Sequence, residues 1–287
     1  MYKDQIINKN IRINLWFSRM VKLIFFIVMS AIIVLLLYIS VKGLSELSFS
    51  FLTDVPNELE PGGGIGPFLI NTVIVLAISL LISIPVGMGA GIYLAEYAKK
   101  GRITNYFSIC VEALSSVPSI VIGLFGYSMF VAYFEIGFTV LGAAIAVSIL
   151  NLPIITRMTE ESLLMVPREL KEGSYALGAT KTQTILSIAI PSALSGIITG
   201  ITLSACRALG ESAIILLVGG TSASDKMWDF SLFGPGGTLP VHLWYIQGDS
   251  LAPDAITIAQ KTSAVLIILV LLLTIIIRIP LMIKSKK

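Results

Sequence analysis

One apolar run of this sequence carries opposite charges within it, at CRALGES, 206–212. Arg207 and Glu211 stand four residues apart there, which on a continuous helix puts both side chains on one face. A charge at mid-bilayer costs about 2.5–3.5 kcal/mol on insertion scales, so it reads as functional by default. Two readings are open. The pair can neutralise itself and only hold two helices together. Alternatively the guanidinium lines the path of an anion, with Glu211 holding the side chain or guarding against a permanent trap. An arginine fork suits oxyanions because it donates two hydrogen bonds at once. Two other acidic residues border apolar runs. Glu112 reaches an interface, and Glu96, beside Tyr97, is expected to snorkel toward the basic turn of Lys99, Lys100 and Arg102.

Other chemistries lack their residues. His242 is the one histidine, so no serine–histidine couple or histidine-based metal set can form around a second; it reads as an interfacial polar residue. Cys110 and Cys206 are far apart, with neither metal nor disulfide-framework spacing. The glycines of GGGIGP at 62–67 are not followed by Gly-Lys-Ser/Thr, which removes a phosphate-binding loop. The expectation is therefore no enzyme, no cofactor and no metal.

A second stretch interrupts the apolar runs with polar residues, EGSYALGATKTQTILSIAIP at 172–191. Pro167 suits the first turn of a helix, where its missing N–H costs nothing. Residues 168–177 carry Leu170, Ala176 and Leu177 among charges, and Gly178 fits a left-handed helix stop. Thr180 with Gln183 three residues on resembles a capping box opening the next helix. The block reads as helix, glycine stop, new helix: a knob presented to something. A knob without a nucleotide site implies that work arrives from a partner.

The elements that must position these groups are membrane spans. Apolar residues make up 55% of the 287, charged residues 13%, and mean hydropathy is +0.91; soluble domains carry about 25% charge. We read one all-α membrane domain with spans near 23–41, 68–97, 108–134, 138–155, 185–219 and 262–283. The first span exceeds a signal h-region and stays as an anchor. Gly87 and Gly91 in the second form a small-xxx-small pair for close helix approach. Pro118 and Gly123 lie in the third. Residues 1–22 and 284–287 are tails, 157–187 holds the knob, and 220–260 is the opposite loop, with Trp228, a GPGG turn and a possible interfacial or re-entrant helix LPVHLWYI at 239–246. Of the twenty basic residues, sixteen fall on the side of the tails and knob and only Lys42, Lys226 and Lys261 on the other. The positive-inside rule makes both termini and the knob cytoplasmic.

The knob spacing resembles the signature of permease subunits of binding-protein-dependent ABC importers: E-A-A, three residues, Gly, nine residues, I-x-L-P. Here Glu172 is followed by Gly178, Ile188, Ile190 and Pro191 at those offsets, while Gly173 and Ser174 replace the alanines and Ile190 the leucine. GGGIGPFLINT, GIYLAEYA, VPSIVIGLFG and RALGES are similar to the phosphate-specific type I importer permeases, and GIYLAEYA leans to the PstA kind over its sister, PstC. The resemblance implies a six-span permease that moves inorganic phosphate inward across the cell membrane. It implies pairing with the sister permease, cytoplasmic ATP-binding subunits below and an extracytoplasmic phosphate-binding protein above, in membrane lipid and without nucleic acid. It makes Glu172, Ala176, Leu177, Gly178 and Pro191 coupling residues, and Arg207, Gly210 and Glu211 pathway residues. Rival readings are a sulfate or molybdate permease, the sister phosphate permease, a stand-alone carrier or channel, and an assembly anchor.

Overall fold

A computed structural model describes residues 2–57, 61–99, 101–226, 229–248 and 252–284, with side chains from 13 to 281. Of the residues singled out above, Lys100, Trp228 and the tail at 285–287 lie outside it. Regular structure among the described residues is helical, apart from an isolated antiparallel bridge between Pro56 and Gly63. Five helices are long and apolar enough to cross a membrane, and a bent pair makes up to six.

The first, α1 (Tyr2–Ser45), stands outside the bundle with its apolar side chains from Ile13 to Tyr38 exposed, as lipid solvation of a hydrocarbon helix allows. It meets the bundle at Gly43, where an added Cβ would lie 2.3 Å from the carbonyl oxygen of Gln260. A short α2 (Phe49–Thr53) leads to α3 (Gly66–Ile92), which continues as a π-helical turn, Tyr93–Tyr97. The centre is α6 (Val140–Leu164), buried along most of its length and packed parallel to α3. Their close approach needs glycine. A Cβ at Gly87 would come within 2.9 Å of Ile155, and one at Gly91 within 2.6 Å of the Thr156 carbonyl and of Thr159. On the other side α9 (Ile190–Leu209) runs antiparallel to α6, with Gly196 against Ser162 and Gly200 against Met158. Last comes α12 (Ala255–Lys284), between α9 and α1.

The first and last helices overrun their expected bounds, α1 at both ends and α12 back to Ala255 inside the expected 220–260 loop, and three further spans differ in course. The third span is not straight. It is α4 (Arg102–Ser116) and α5 (Ser119–Gly126, continued by a π-helical stretch Tyr127–Tyr133), bent by 95°. Pro118 drives Val117 out of the helical region, to ψ 128°, and itself sits at ψ 139°. The fourth span does not end near 155: α6 continues through Leu164, carrying Arg157 and Glu160 as a 3.0 Å ion pair on the helix. The knob is correspondingly shorter than the expected 157–187. The fifth span does not reach 219. It starts at Lys181 as α8 (Lys181–Thr184), passes through a π-helical turn Ile185–Ala189, and ends at Leu209; α10 (Ala213–Val218) is a separate helix.

At the end opposite the knob, the GPGG turn is woven into the starts of α3 and α6. Val140 N–H donates to Gly234 O (3.1 Å), Gly236 N–H to Gly219 O (2.8 Å), and Asn71 Nδ2 to the Pro235 and Gly237 carbonyls (3.1 and 3.0 Å). The segment 239–246 does form a helix, α11 (Leu239–Gly248), whose first amide donates to Thr72 Oγ1 at 2.9 Å.

Candidate functional site

The break between α9 and α10 reassigns the charged pair. Gly210 is the C-cap of α9, its N–H returning to Cys206 O at 3.3 Å. Beyond that stop, Glu211 no longer shares a helical face with Arg207. Its Oε1 accepts the amides of Ala213 (3.1 Å) and Ile214 (3.3 Å), so the carboxylate caps α10. A negative group at a helix start satisfies orphan N–H donors and suits the helix dipole. Glu211 is 8% exposed. Arg207 makes no ion pair or hydrogen bond among the described residues and is exposed on α9. The self-neutralised pair is thus absent, and the Arg207 guanidinium stands exposed on a membrane-length helix without a charge partner among the described residues.

The broken span supports that break. A Cβ on Gly123 of α5 would lie 2.9 Å from Leu217 Cδ1 and 3.1 Å from Ile214 Cα, so α5 lies flush on α10. Pro118 stands at the bend itself, between α4 and α5. Gly210 and Ser212 open onto a groove of about 490 Å³ with Leu36, Leu209, Leu243 and Leu266 in its walls. Those walls are apolar, so the groove is no anion path.

The knob forms at the other end of the bundle. Its first helix, α7 (Arg168–Ala176), starts after Pro167 and ends in a Schellman turn: Gly178 N–H donates to Tyr175 O (2.9 Å) and Ala179 N–H to Ser174 O (3.2 Å). Gly178 holds φ +84°, the left-handed conformation that a Cβ disfavours. Thr180 and Gln183 form the capping box of α8 in both directions. Ser174 Oγ and Thr184 Oγ1, 2.9 Å apart, tie the two helices. Glu172, Ala176, Leu177 and Gly178 are exposed, and Leu177 at the tip is 91% so. Pro191 lies inside the continuous helix, two residues after the π-helical turn ends at Ala189, and is half-buried.

Sequence reasoning missed how the knob is held. Glu96, at the π-helical end of α3, does not snorkel to the neighbouring basic turn. It pairs with Lys171 of α7, Nζ to Oε1 at 2.5 Å, with side chains 8% and 17% exposed. Lys171 also donates to Leu163 O at 3.3 Å. Lys181 donates to the Glu96 carbonyl and lies 4.7 Å from the centre of the Tyr97 ring; Tyr97 Oη is 3.4 Å from Thr182 Oγ1. The partners are 75 and 85 residues apart, and no local pattern links them.

At the far end His242 is buried rather than interfacial. It is 4% exposed and stacks on Phe68 with ring centres 4.2 Å apart. Burial lowers its imidazole from 6.5 to about 4, so it is neutral at physiological pH. In the loop before it, the Ser224 hydroxyl and then the Ser231 amide hold the Asp229 carboxyl below its usual range. Among the described residues no group of three or more His, Cys, Asp or Glu could hold a metal ion.

Known proteins share this architecture. Residues 87–283 match the family model of the binding-protein-dependent transport system inner membrane component. The chain is 41% identical over 255 residues to a probable ABC transporter permease protein, YqgI, of Bacillus subtilis, covering 85% of this chain and 87% of that one. It is 36% identical over 237 residues to the phosphate transport system permease protein PstA of Haemophilus influenzae, covering 82% and 81%. Among solved structures, an inward-facing MetNI methionine ABC transporter chain superposes with a TM-score of 0.57 at 24% identity, over 74% of this chain and 95% of that one. A shared fold, a bundle of five long apolar helices with one bent pair, and a matched family model over most of the bundle lead to one assignment: the chain belongs to the family of inner membrane components of binding-protein-dependent transport systems, the permeases of type I ABC importers.

Proposed function

We propose that this chain is the membrane-spanning subunit of an ATP-driven importer of inorganic phosphate. It works beside a sister permease, above cytoplasmic ATP-binding subunits and below an extracytoplasmic phosphate-binding protein. The observation that carries the reading is the knob: two short helices closed by their own caps, with Leu177 presented 91% exposed at the tip. A polar body with an apolar tip is a surface for a partner. The basic residues gathered at the knob end support a cytoplasmic location for it. Glu172, Ala176, Leu177 and Gly178 form the face that meets the ATPase, and Pro191 marks where the knob joins α9. ATP hydrolysis belongs to the partner, and this chain does no chemistry of its own.

Phosphate as cargo rests on the likeness to phosphate permeases along 82% of the chain and on the uncompensated Arg207. The guanidinium donates two parallel hydrogen bonds to an oxyanion as it passes. Glu211 serves the path indirectly, by building the start of α10, and Gly210 by ending α9 there.

The test is uptake of labelled phosphate by proteoliposomes carrying the assembled complex, with sulfate and molybdate as competitors. ATP-dependent phosphate uptake that excess sulfate leaves intact is the expected result. Arg207→Gln is expected to abolish uptake while the complex still assembles. Transport without the ATPase, or normal uptake by Arg207→Gln, would sink the reading.

A further inference from the structure

The knob is gripped from inside the membrane domain as well as exposed outside it. Its grip converges on two consecutive residues, Glu96 and Tyr97, at the π-helical end of α3. One contact is the Glu96–Lys171 ion pair, whose lysine also reaches Leu163 O in the last turn of α6. The other joins Lys181 and Thr182 of α8 to the Glu96 carbonyl and the Tyr97 ring and hydroxyl. Because Ser174 and Thr184 tie α7 to α8, both contacts hold one body.

The receiving elements are α3 and α6, the parallel spans locked together at Gly87 and Gly91. A push on the knob therefore has a stiff route into the centre of the bundle. The chain path from the knob into α9 runs through a π-helical turn followed by Pro191, a locally irregular helix. The ion pair is also sheltered from water, which keeps it from being screened as an exposed pair would be.

We propose that Glu96 and Lys171 form a strut that carries knob movement into the α3–α6 pair, with Tyr97 and Lys181 as its second foot. They are positioning residues for coupled transport, touching neither ATP nor cargo. The proposal rests on the coupling reading of the knob given above.

The experiment uses the reconstituted complex with inorganic phosphate as the probe, and reads ATP hydrolysed per phosphate taken up. Glu96→Gln and Lys171→Met are each expected to raise that ratio about tenfold, the loss of one partly sheltered charge pair, while the ATPase still copurifies. The exchanged pair, Glu96→Lys with Lys171→Glu, is expected to bring the ratio back toward that of the unmodified complex. If Glu96→Gln gives no folded chain, Lys181→Met with Thr182→Val cuts the second foot and is read the same way. An unchanged ratio in the single variants overturns the strut. So does an exchanged pair no better than the singles, or loss of the ATPase from them, which would make the pair part of the docking face. Leu177→Asp separates the two levels. Should it leave ATPase binding and the ratio intact, the coupling reading of the knob fails; should it release the ATPase while Glu96→Gln changes nothing, only the strut fails.

Discussion

Replacing Glu211 with alanine distinguishes a helix cap from an ion pair. Its carboxylate accepts two amides, at 3.1 and 3.3 Å, from a site 8% exposed. Each orphaned buried amide costs about 1 kcal/mol net, so the loss is about 2 kcal/mol. For a chain of this size that lowers the unfolding midpoint by about 5 °C. Glu211→Gln keeps an acceptor oxygen and should lose about half as much. The decisive measurement is a double-mutant cycle with Arg207→Gln, read by thermal unfolding of the purified complex. Because Arg207 and Glu211 make no contact, their coupling energy should stay below about 0.5 kcal/mol. A coupling above about 1 kcal/mol would show that the two charges stabilise one another, and the cap reasoning would be wrong.

Three other perturbations follow from the geometry. Gly178→Asp strains a left-handed turn by about 1 kcal/mol, and a Cβ there meets no neighbour within 4 Å, so the chain should fold while uptake and ATPase copurification fall; retention of both would contradict the coupling reading. Gly91→Ala forces a methyl to 2.6 Å from the Thr156 carbonyl, so the α3–α6 contact should open at a cost of about 1–3 kcal/mol, read as reduced folded yield and midpoint. His242 has a depressed basicity when folded, so its contribution is fully present above pH 6.5 and is lost as pH falls toward 4, where the unfolded chain alone binds the proton. That loss approaches about 3 kcal/mol. His242→Phe should flatten the pH dependence of stability between 6.5 and 4, and an unchanged acid limb would assign it to other groups.

The sequence was most informative where the deciding interactions are short-range. The glycine stop and the capping box of the knob depend on hydrogen bonds spanning no more than five residues, so Gly178, Thr180 and Gln183 announce them. The apolar spans follow from composition alone, since a bilayer demands internally satisfied helices. The stop after α9 was also written there, as Gly210 followed by Glu211 and Ser212. It was hidden because apolar runs continue on both sides, and a run of hydrophobic residues does not say whether one helix or two cross it. Pro118 marked an irregularity without fixing its angle. The 95° bend is set by α5 packing flush on α10 through Gly123, a contact some ninety residues away in sequence.

What this sequence determined by itself is a helical membrane protein with a capped polar knob and one charged span. Only the tertiary structure decided what those charges do. It gave Glu211 to the amides of α10, left Arg207 without a charge partner among the described residues, and carried Lys171 across 75 residues to Glu96. The physical reason is common to all three. A charge takes the partner that folding brings within about 3 Å in a water-poor place, where each unmet group is costly, and neighbours in sequence hold no priority there.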